Sequence, residues 1–193
     1  MKRAEMDKPA ESADLDAVRR CLAGERDAFA ELVQRHQRVV YGVALRMLGS
    51  RDEADDAAQE AFVRAYSRLS TFRGDAEMRV WLVRIITRLC IDLLRARRRR
   101  PEVLLDDQPS EPAQPSWEVD VAERHGIARA IVELPPRYKA VIILRHLQHM
   151  SYSDMARTLD LPVATVKTHL LRARRMLRQR LSSGSAEGEE VVL

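Results

Sequence analysis

Two cysteines, Cys21 and Cys90, are all this chain of 193 residues contains. They lie far apart and in no metal-ligand spacing, which excludes a disulfide framework and fits a reduced, cytoplasmic setting. Aromatic residues make up only 5% of the chain, so any core must be aliphatic. No apolar run approaches the ~20 residues of a membrane span, and the N-terminus lacks a signal-peptide core, so membrane insertion is not expected. No stretch alternates apolar and polar residues as a strand does, which excludes sheet-built folds. His146 and His149 stand three apart with no third ligand in reach of the pattern, so no metal site is expected. A nucleophile with activating groups is missing too. Ser151, Tyr152 and Ser153 read as a helix cap and helix start, so neither enzymatic activity nor a cofactor is expected.

Charge and helical periodicity are what the chain has in quantity. The net charge is only +4, but it is unevenly spread. Arg84, Arg88, Arg95 and Arg97 to Arg100 form one basic run, and the segment from Arg172 to Arg180 forms another. Asp52, Glu53, Asp55, Asp56 and Glu60 form an acidic cluster. Basic patches point to a polyanion, and a separate acidic patch points to a basic partner. From Leu15 to about Arg97 the apolar spacing is helical throughout, in four helices. Ser50 has the position of a helix cap, with Glu53 three residues on. A polar start and a small, acidic tail from Ser182 are expected to be loose. The segment 101–116 carries Pro101, Pro109, Pro112 and Pro115 among acids and reads as an extended linker. The expected architecture is therefore all-α. A first helical domain spans 14–98, a flexible linker 99–116 and a second helical domain 117–181, with a disordered tail at 182–193. Breaks in the second block are expected at Pro135-Pro136, at Met150-Ser151 and at Asp160-Pro162.

The stretch from Leu134 to Leu181 is the most specific. Ser151 can cap a short helix whose apolar side is Met155, Ala156 and Leu159. The turn Leu159-Asp160-Leu161-Pro162 follows, and proline suits the start of the next helix. In that helix Val166, Leu170, Ala173 and Leu177 form one narrow stripe that must face a core. The opposite side and its flanks carry Thr165, Lys167, Thr168, His169, Leu171, Arg172, Arg174 and Arg175, with no acid among them. A short helix, a tight turn and a basic outward helix are the parts of a helix-turn-helix, whose second helix fits a DNA major groove.

Three segments taken in order resemble the extracytoplasmic-function (ECF) sigma factors of bacterial RNA polymerase. DEADDAAQEAFVRAY (Asp52 to Tyr66) is similar to the family's polymerase-clamp helix. FRGDAEMRVWLVRIITRLCIDLLRARRRR (Phe72 to Arg100) resembles its minus-ten reading and melting segment. The segment from Leu134 to Leu177 resembles its minus-thirty-five reading domain. The resemblance implies two all-helical domains, sigma regions two and four, with a tether between them. It implies core RNA polymerase and promoter DNA as partners and an anti-sigma factor as the controlling partner. Asp56, Gln59, Glu60 and Phe62 would meet the polymerase. Phe72, Arg73, Gly74 and Asp75 would form a pocket for a flipped base, with Trp81 a wedge or a core aromatic, and Arg84, Arg88 and Arg95 would reach phosphates or bases. Arg88 stands where many relatives carry asparagine, Ala164 where many carry glycine, and His169 where many carry arginine, so base preference does not transfer. The rival reading is a LuxR/NarL-type regulator, which shares the TVKTHL string at Thr165 to Leu170. That type pairs the module with a sheet-containing domain, and the first hundred residues show no strand.

Overall fold

The computed structural model describes residues 8–99 and 121–186, and all the regular structure there is helical. Four helices make the first block: α1 (Lys8–Leu22), α2 (Ala28–Leu48), α3 (Arg51–Ser67) and α4 (Met78–Arg99). Four make the second: α5 (Val121–Val132), α6 (Pro136–Ile142), α7 (Tyr152–Leu159) and α8 (Val163–Ala186). The proline-rich linker expected at 99–116 lies, apart from Arg99 at the end of α4, outside the described residues.

The first block forms because α2, α3 and α4 each carry one apolar face. Leu32, Val40, Val43 and Met47 of α2 are at most 1% exposed. Against them α3 sets Ala54, Ala57, Ala58, Ala61 and Ala65. Methyl-sized side chains let the helix axes approach closely, and α4 fills the rest with Met78, Leu82, Ile86 and Leu89. Ser50 caps α3, accepting from the Glu53 amide at 3.4 Å. Gly49, at φ 85°, ends α2, and a Cβ there would sit 3.0 Å from Val132 Cγ1. Buried Asp14 ties α1 to α2 by accepting from Arg35 and pairing with His36 Nε2 at 2.9 Å.

Sequence and structure differ at several edges. Helix α1 starts at Lys8, inside the segment expected to be loose, and α8 runs to Ala186, five residues into the expected tail. In the second block the stretch after α6 is not one helix as far as Met150. Ile143–Leu147 forms a π-helical turn, and His149 takes a left-handed conformation at φ 53°. That turn rotates the chain so that Ile143, Leu144 and Met150 all remain buried.

The blocks also pack on each other. Helix α4 lies against α6 and α7, and α2 touches α5 and α6. One continuous set of buried side chains runs from Ala17 to Ala173. Lys139 of α6 is 3% exposed and donates to the Met47 carbonyl at 2.8 Å.

Candidate nucleic-acid and polymerase interfaces

The helix-turn-helix has the geometry its sequence specifies. Ser151 Oγ accepts from the Asp154 amide at 3.1 Å and donates to Asp154 Oδ2 at 2.5 Å. Burial works against the Asp154 carboxylate, but the bonds from Ser151 and Arg157 outweigh it and hold its pKa low. Asp160, at φ 55°, ends α7 in the left-handed conformation that a tight turn requires. Val166, Leu170 and Ala173 of α8 are at most 2% exposed, facing α6 and α7.

The outer side of α8 is open. Lys167, Thr168, Leu171, Arg172, Arg174 and Arg175 are exposed, Leu171 at 70%, and Thr165 is half-buried. Thr168 Oγ1 donates back to the Ala164 carbonyl at 3.0 Å, which leaves its lone pairs to accept from a base and requires rotation only for it to donate to one. Lys167 Nζ stands 5.6 Å from the Tyr152 ring centroid, and Arg174 Nη2 lies 3.3 Å from His146 Nε2. Seven residues apart, these two cations lie two turns from each other on the same flank of α8, where the phosphates of a groove would lie.

His169 is placed differently from its neighbours. Its ring packs edge-on against Tyr138 of α6, centroids 5.4 Å apart, and its Nδ1 is buried with no protein partner. Burial, followed by the charges of Arg137 and Arg172, lowers its pKa and keeps the imidazole neutral. Tyr138 is 7% exposed, and its hydroxyl pKa is lowered first by hydrogen bonding from Arg172. Sequence spacing could not show that His169 and Arg172 share this tyrosine, because Tyr138 lies outside the helix pair.

The loop before α4 and its first turns form a second surface. Phe72 and Trp81 pack with centroids 5.4 Å apart, and both are half-buried at the edge of the core. Arg73 and Asp75 are exposed on either side of Gly74, whose φ of 75° favours glycine. Arg95 is exposed near Asp92. Arg84 is half-buried, with its pKa lowered by burial first and then by Arg88. Arg88 reaches into the second block: its Nε donates to the Thr158 carbonyl at 2.9 Å and its Nη2 to the Arg157 carbonyl at 3.3 Å. Arg79, which the sequence reading did not single out, donates to Gln148 Oε1 at 3.0 Å and to the Gln148 carbonyl at 3.1 Å.

The acidic cluster borders a groove of about 430 Å³. Asp56 and Glu60 form its rim, and Leu48, Leu89, Leu93 and Leu94 line its apolar part. Leu93, which helical periodicity groups with the apolar side of α4, is 43% exposed. It is the third-dimensional neighbour of the α3 acids. Gln59 is exposed beside the rim, and Phe62 is half-buried outside the groove lining. A further apolar groove of about 700 Å³, between α5 and α8, is lined by Ile127, Ile131, Ile142, Leu147, Leu177 and Leu181. No sequence motif announced it, because its residues come from elements that only tertiary packing brings together. Among the described residues no helix is long and apolar enough to cross a membrane.

Comparison with known proteins places both blocks. A family model described as Sigma-70 region 2 matches residues 32–100, and one described as Sigma-70, region 4 matches residues 124–177. The chain is similar to the ECF RNA polymerase sigma factor SigW of Bacillus subtilis, 34% identical over 85% of this chain and 94% of that one. It is 33% identical to the ECF RNA polymerase sigma-E factor of Haemophilus influenzae, over 87% of this chain and 95% of the relative. Among solved structures, CnrH in complex with the cytosolic domain of CnrY matches with a TM-score of 0.64 at 27% identity, covering 89% of this chain and 98% of that one. The sigma factor RpoE bound to the anti-sigma factor NepR from Bartonella quintana shares the fold, with a TM-score of 0.69 at 20% identity over 81% of this chain and 98% of that one.

Proposed function

The chain belongs to the ECF sigma factors, which direct core RNA polymerase to promoters, and from that premise we propose how its surfaces divide the work. The carrying observation is the bare basic face of α8 on a well-capped helix-turn-helix. That helix enters the major groove of the minus-thirty-five element. Arg172, steadied by Tyr138, reads a base, Thr168 and Leu171 line the same face, and Thr165 and Arg175 flank it. Lys167 and Arg174 take phosphates. His169 acts from behind, through Tyr138, more than by direct contact.

The loop Phe72-Arg73-Gly74-Asp75 and the start of α4 receive the minus-ten non-template strand, with Trp81 backing Phe72. Unstacking a base costs a few kcal/mol, and an aromatic platform repays part of it. Arg84, Arg88 and Arg95 follow the phosphates. The acidic rim at Asp56, Gln59 and Glu60, with the leucines beside it, docks a basic and apolar surface of core polymerase, and Phe62 supports α3 from the side. An anti-sigma factor that covers these surfaces would silence the chain, as fits the complexes of its structural relatives. The work takes place beside polymerase, in the cytoplasm, and calls for no catalytic residue. The rival LuxR/NarL-type reading has no support, since a sigma region matches the first block.

The test is transcription in vitro. Purified chain added to core polymerase, with a library of promoter fragments as template, should select a subset sharing two short elements. A regulator of the rival type would neither bind core enzyme nor start transcripts from it.

A further inference from the structure

Basic side chains cross the joint between the two blocks, and each ends on a carbonyl at the C-terminal end of a helix or turn on the other side. Arg88 of α4 takes the Thr158 and Arg157 carbonyls in the last turn of α7. Arg79 takes the carbonyl of Gln148, just after the π-helical turn. In the reverse direction, Lys139 of α6 takes the Met47 carbonyl at the end of α2. Carbonyls in the last turn of a helix lack amide partners. Thr158 illustrates why: the residue four on is Pro162, which has no N–H, and the Leu161 amide bonds to Ala156 instead. The salt bridges Glu53–Arg97, Glu60–Arg64 and Glu133–Arg180 each stay within one block. Apart from the bond of Arg79 to the Gln148 side-chain oxygen, the polar contacts named across the joint are cations on carbonyls at helix or turn ends.

A helix C-terminus carries only about half a negative charge, shared over several carbonyls. A phosphate carries a full charge on oxygens that accept the same fork of guanidinium donors, and such charge-assisted bonds are about twice as strong as neutral ones. Arg88 is exposed and Arg79 half-buried, so both can be reached from solvent.

We propose that Arg79 and Arg88 form an exchangeable surface. In the free chain they hold the second block against α4 by capping its helix ends. Nucleic-acid phosphates displace those carbonyls, so that strand contact along α4 and opening of the joint are one event. This rests on the reading of α4 as a promoter-contacting helix. Closure hides part of the minus-ten surface, and the exposed α8 face stays available for duplex.

The experiment uses the full chain with a donor and an acceptor dye at Val63 and Ser182, both exposed, attached through non-natural side chains so that Cys21 and Cys90 are untouched. The probe is a mixed-sequence 15-nucleotide single-stranded DNA. Titrating it should lengthen the inter-dye distance of the unaltered chain. An uncharged methylphosphonate strand of the same bases should not. Arg79→Ala/Arg88→Ala should start at the longer distance and bind the strand with a log–log salt slope smaller by about 1.4, at ~0.7 per phosphate contact. Opening by the uncharged strand, or a short distance in the double variant, would overturn the inference. The titration on unaltered protein stands even if the variant folds poorly. If the strand binds both chains with the same affinity and salt slope, the reading of α4 itself fails. If binding weakens in the variant but the unaltered chain never opens, the exchange alone fails.

Discussion

Arg172 and Lys167 are separated on α8 by little more than one turn, yet the proposed reading gives them different tasks. Arg172, exposed on the outward side, lowers the pKa of the Tyr138 hydroxyl, and Lys167 leans toward Tyr152 on the flank. Arg172→Ala should therefore cost about 1–3 kcal/mol at one base pair of the minus-thirty-five element and little at its variants. Lys167→Ala should weaken every sequence alike and lower the salt slope by about one. A binding series over single-base promoter variants at two salt concentrations checks this, and equal losses on all variants for Arg172→Ala would reduce α8 to a phosphate clamp. Lys139 gives a second prediction. Burial, with Arg98 and Arg97 adding to it against the opposing influence of Cys90, pulls its pKa from 10.5 down to about 8. The folded form thus binds fewer protons than the unfolded form between these values, and stability rises as pH climbs through that interval. Cys90 works in the opposite sense. Burial pushes its thiol from 9.0 up to about 12, so the folded form keeps a proton that the unfolded form loses above pH 9. Between about pH 8 and 9 Lys139 acts before Cys90 opposes it. Stability to denaturant should increase there by about 1 kcal/mol, at up to ~1.4 kcal/mol per pH unit, and then level off. Lys139→Met should abolish the rise. A rise of the same size in the variant would assign it to another group.

At the scale of elements, α7 depends on its ends. It has eight residues, too short to persist alone, so its capping and packing decide whether it forms. Ser151 satisfies the Asp154 amide at its start, and Arg88 satisfies the last carbonyls at its end. Ser151→Ala should lower unfolding stability by about 1 kcal/mol and weaken duplex binding by the second block, since α7 positions α8. Ser50→Ala should cost less, because its bond to the Glu53 amide is longer, at 3.4 Å. Equilibrium unfolding in urea compares the two, and a larger loss at Ser50 would reverse the ranking. The turn between α7 and α8 works because Asp160 accepts a left-handed backbone and Pro162 needs no amide partner.

Over the whole molecule, the surfaces proposed for DNA and for polymerase fall on different sides of α4. Helix α4 carries Arg84, Arg88 and Arg95 on one side, and Leu89, Leu93 and Leu94, with Arg97, toward the α3 acids on another. Reversing charge at Asp56 and Glu60 together should weaken the complex with core polymerase at least tenfold, worth ~1.4 kcal/mol. It should leave the thermal unfolding midpoint almost unchanged, because the Glu60–Arg64 pair it breaks is exposed and worth ~0–1 kcal/mol. Affinity for core enzyme measured by competition decides this, and an undiminished affinity would move the docking site elsewhere, the groove between α5 and α8 being the next to test.

Local rules wrote much of this protein into its sequence. Helical periodicity fixed which faces of α2, α3 and α8 are buried, and cap and turn chemistry fixed where α3, α7 and α8 begin, because these depend on residues within a few positions of each other. The basic outer face of α8 and the acids of α3 were legible for the same reason. Tertiary structure alone decided what each face meets. It turned His169 onto Tyr138 and away from the open side of α8, opened Leu93 into the groove beside Asp56, and buried Lys139 against the end of α2. It also set Arg88 on the carbonyls of a helix seventy residues away in the chain. A cation and an orphaned carbonyl have no sequence spacing to betray them; their meeting follows from how two apolar faces pack.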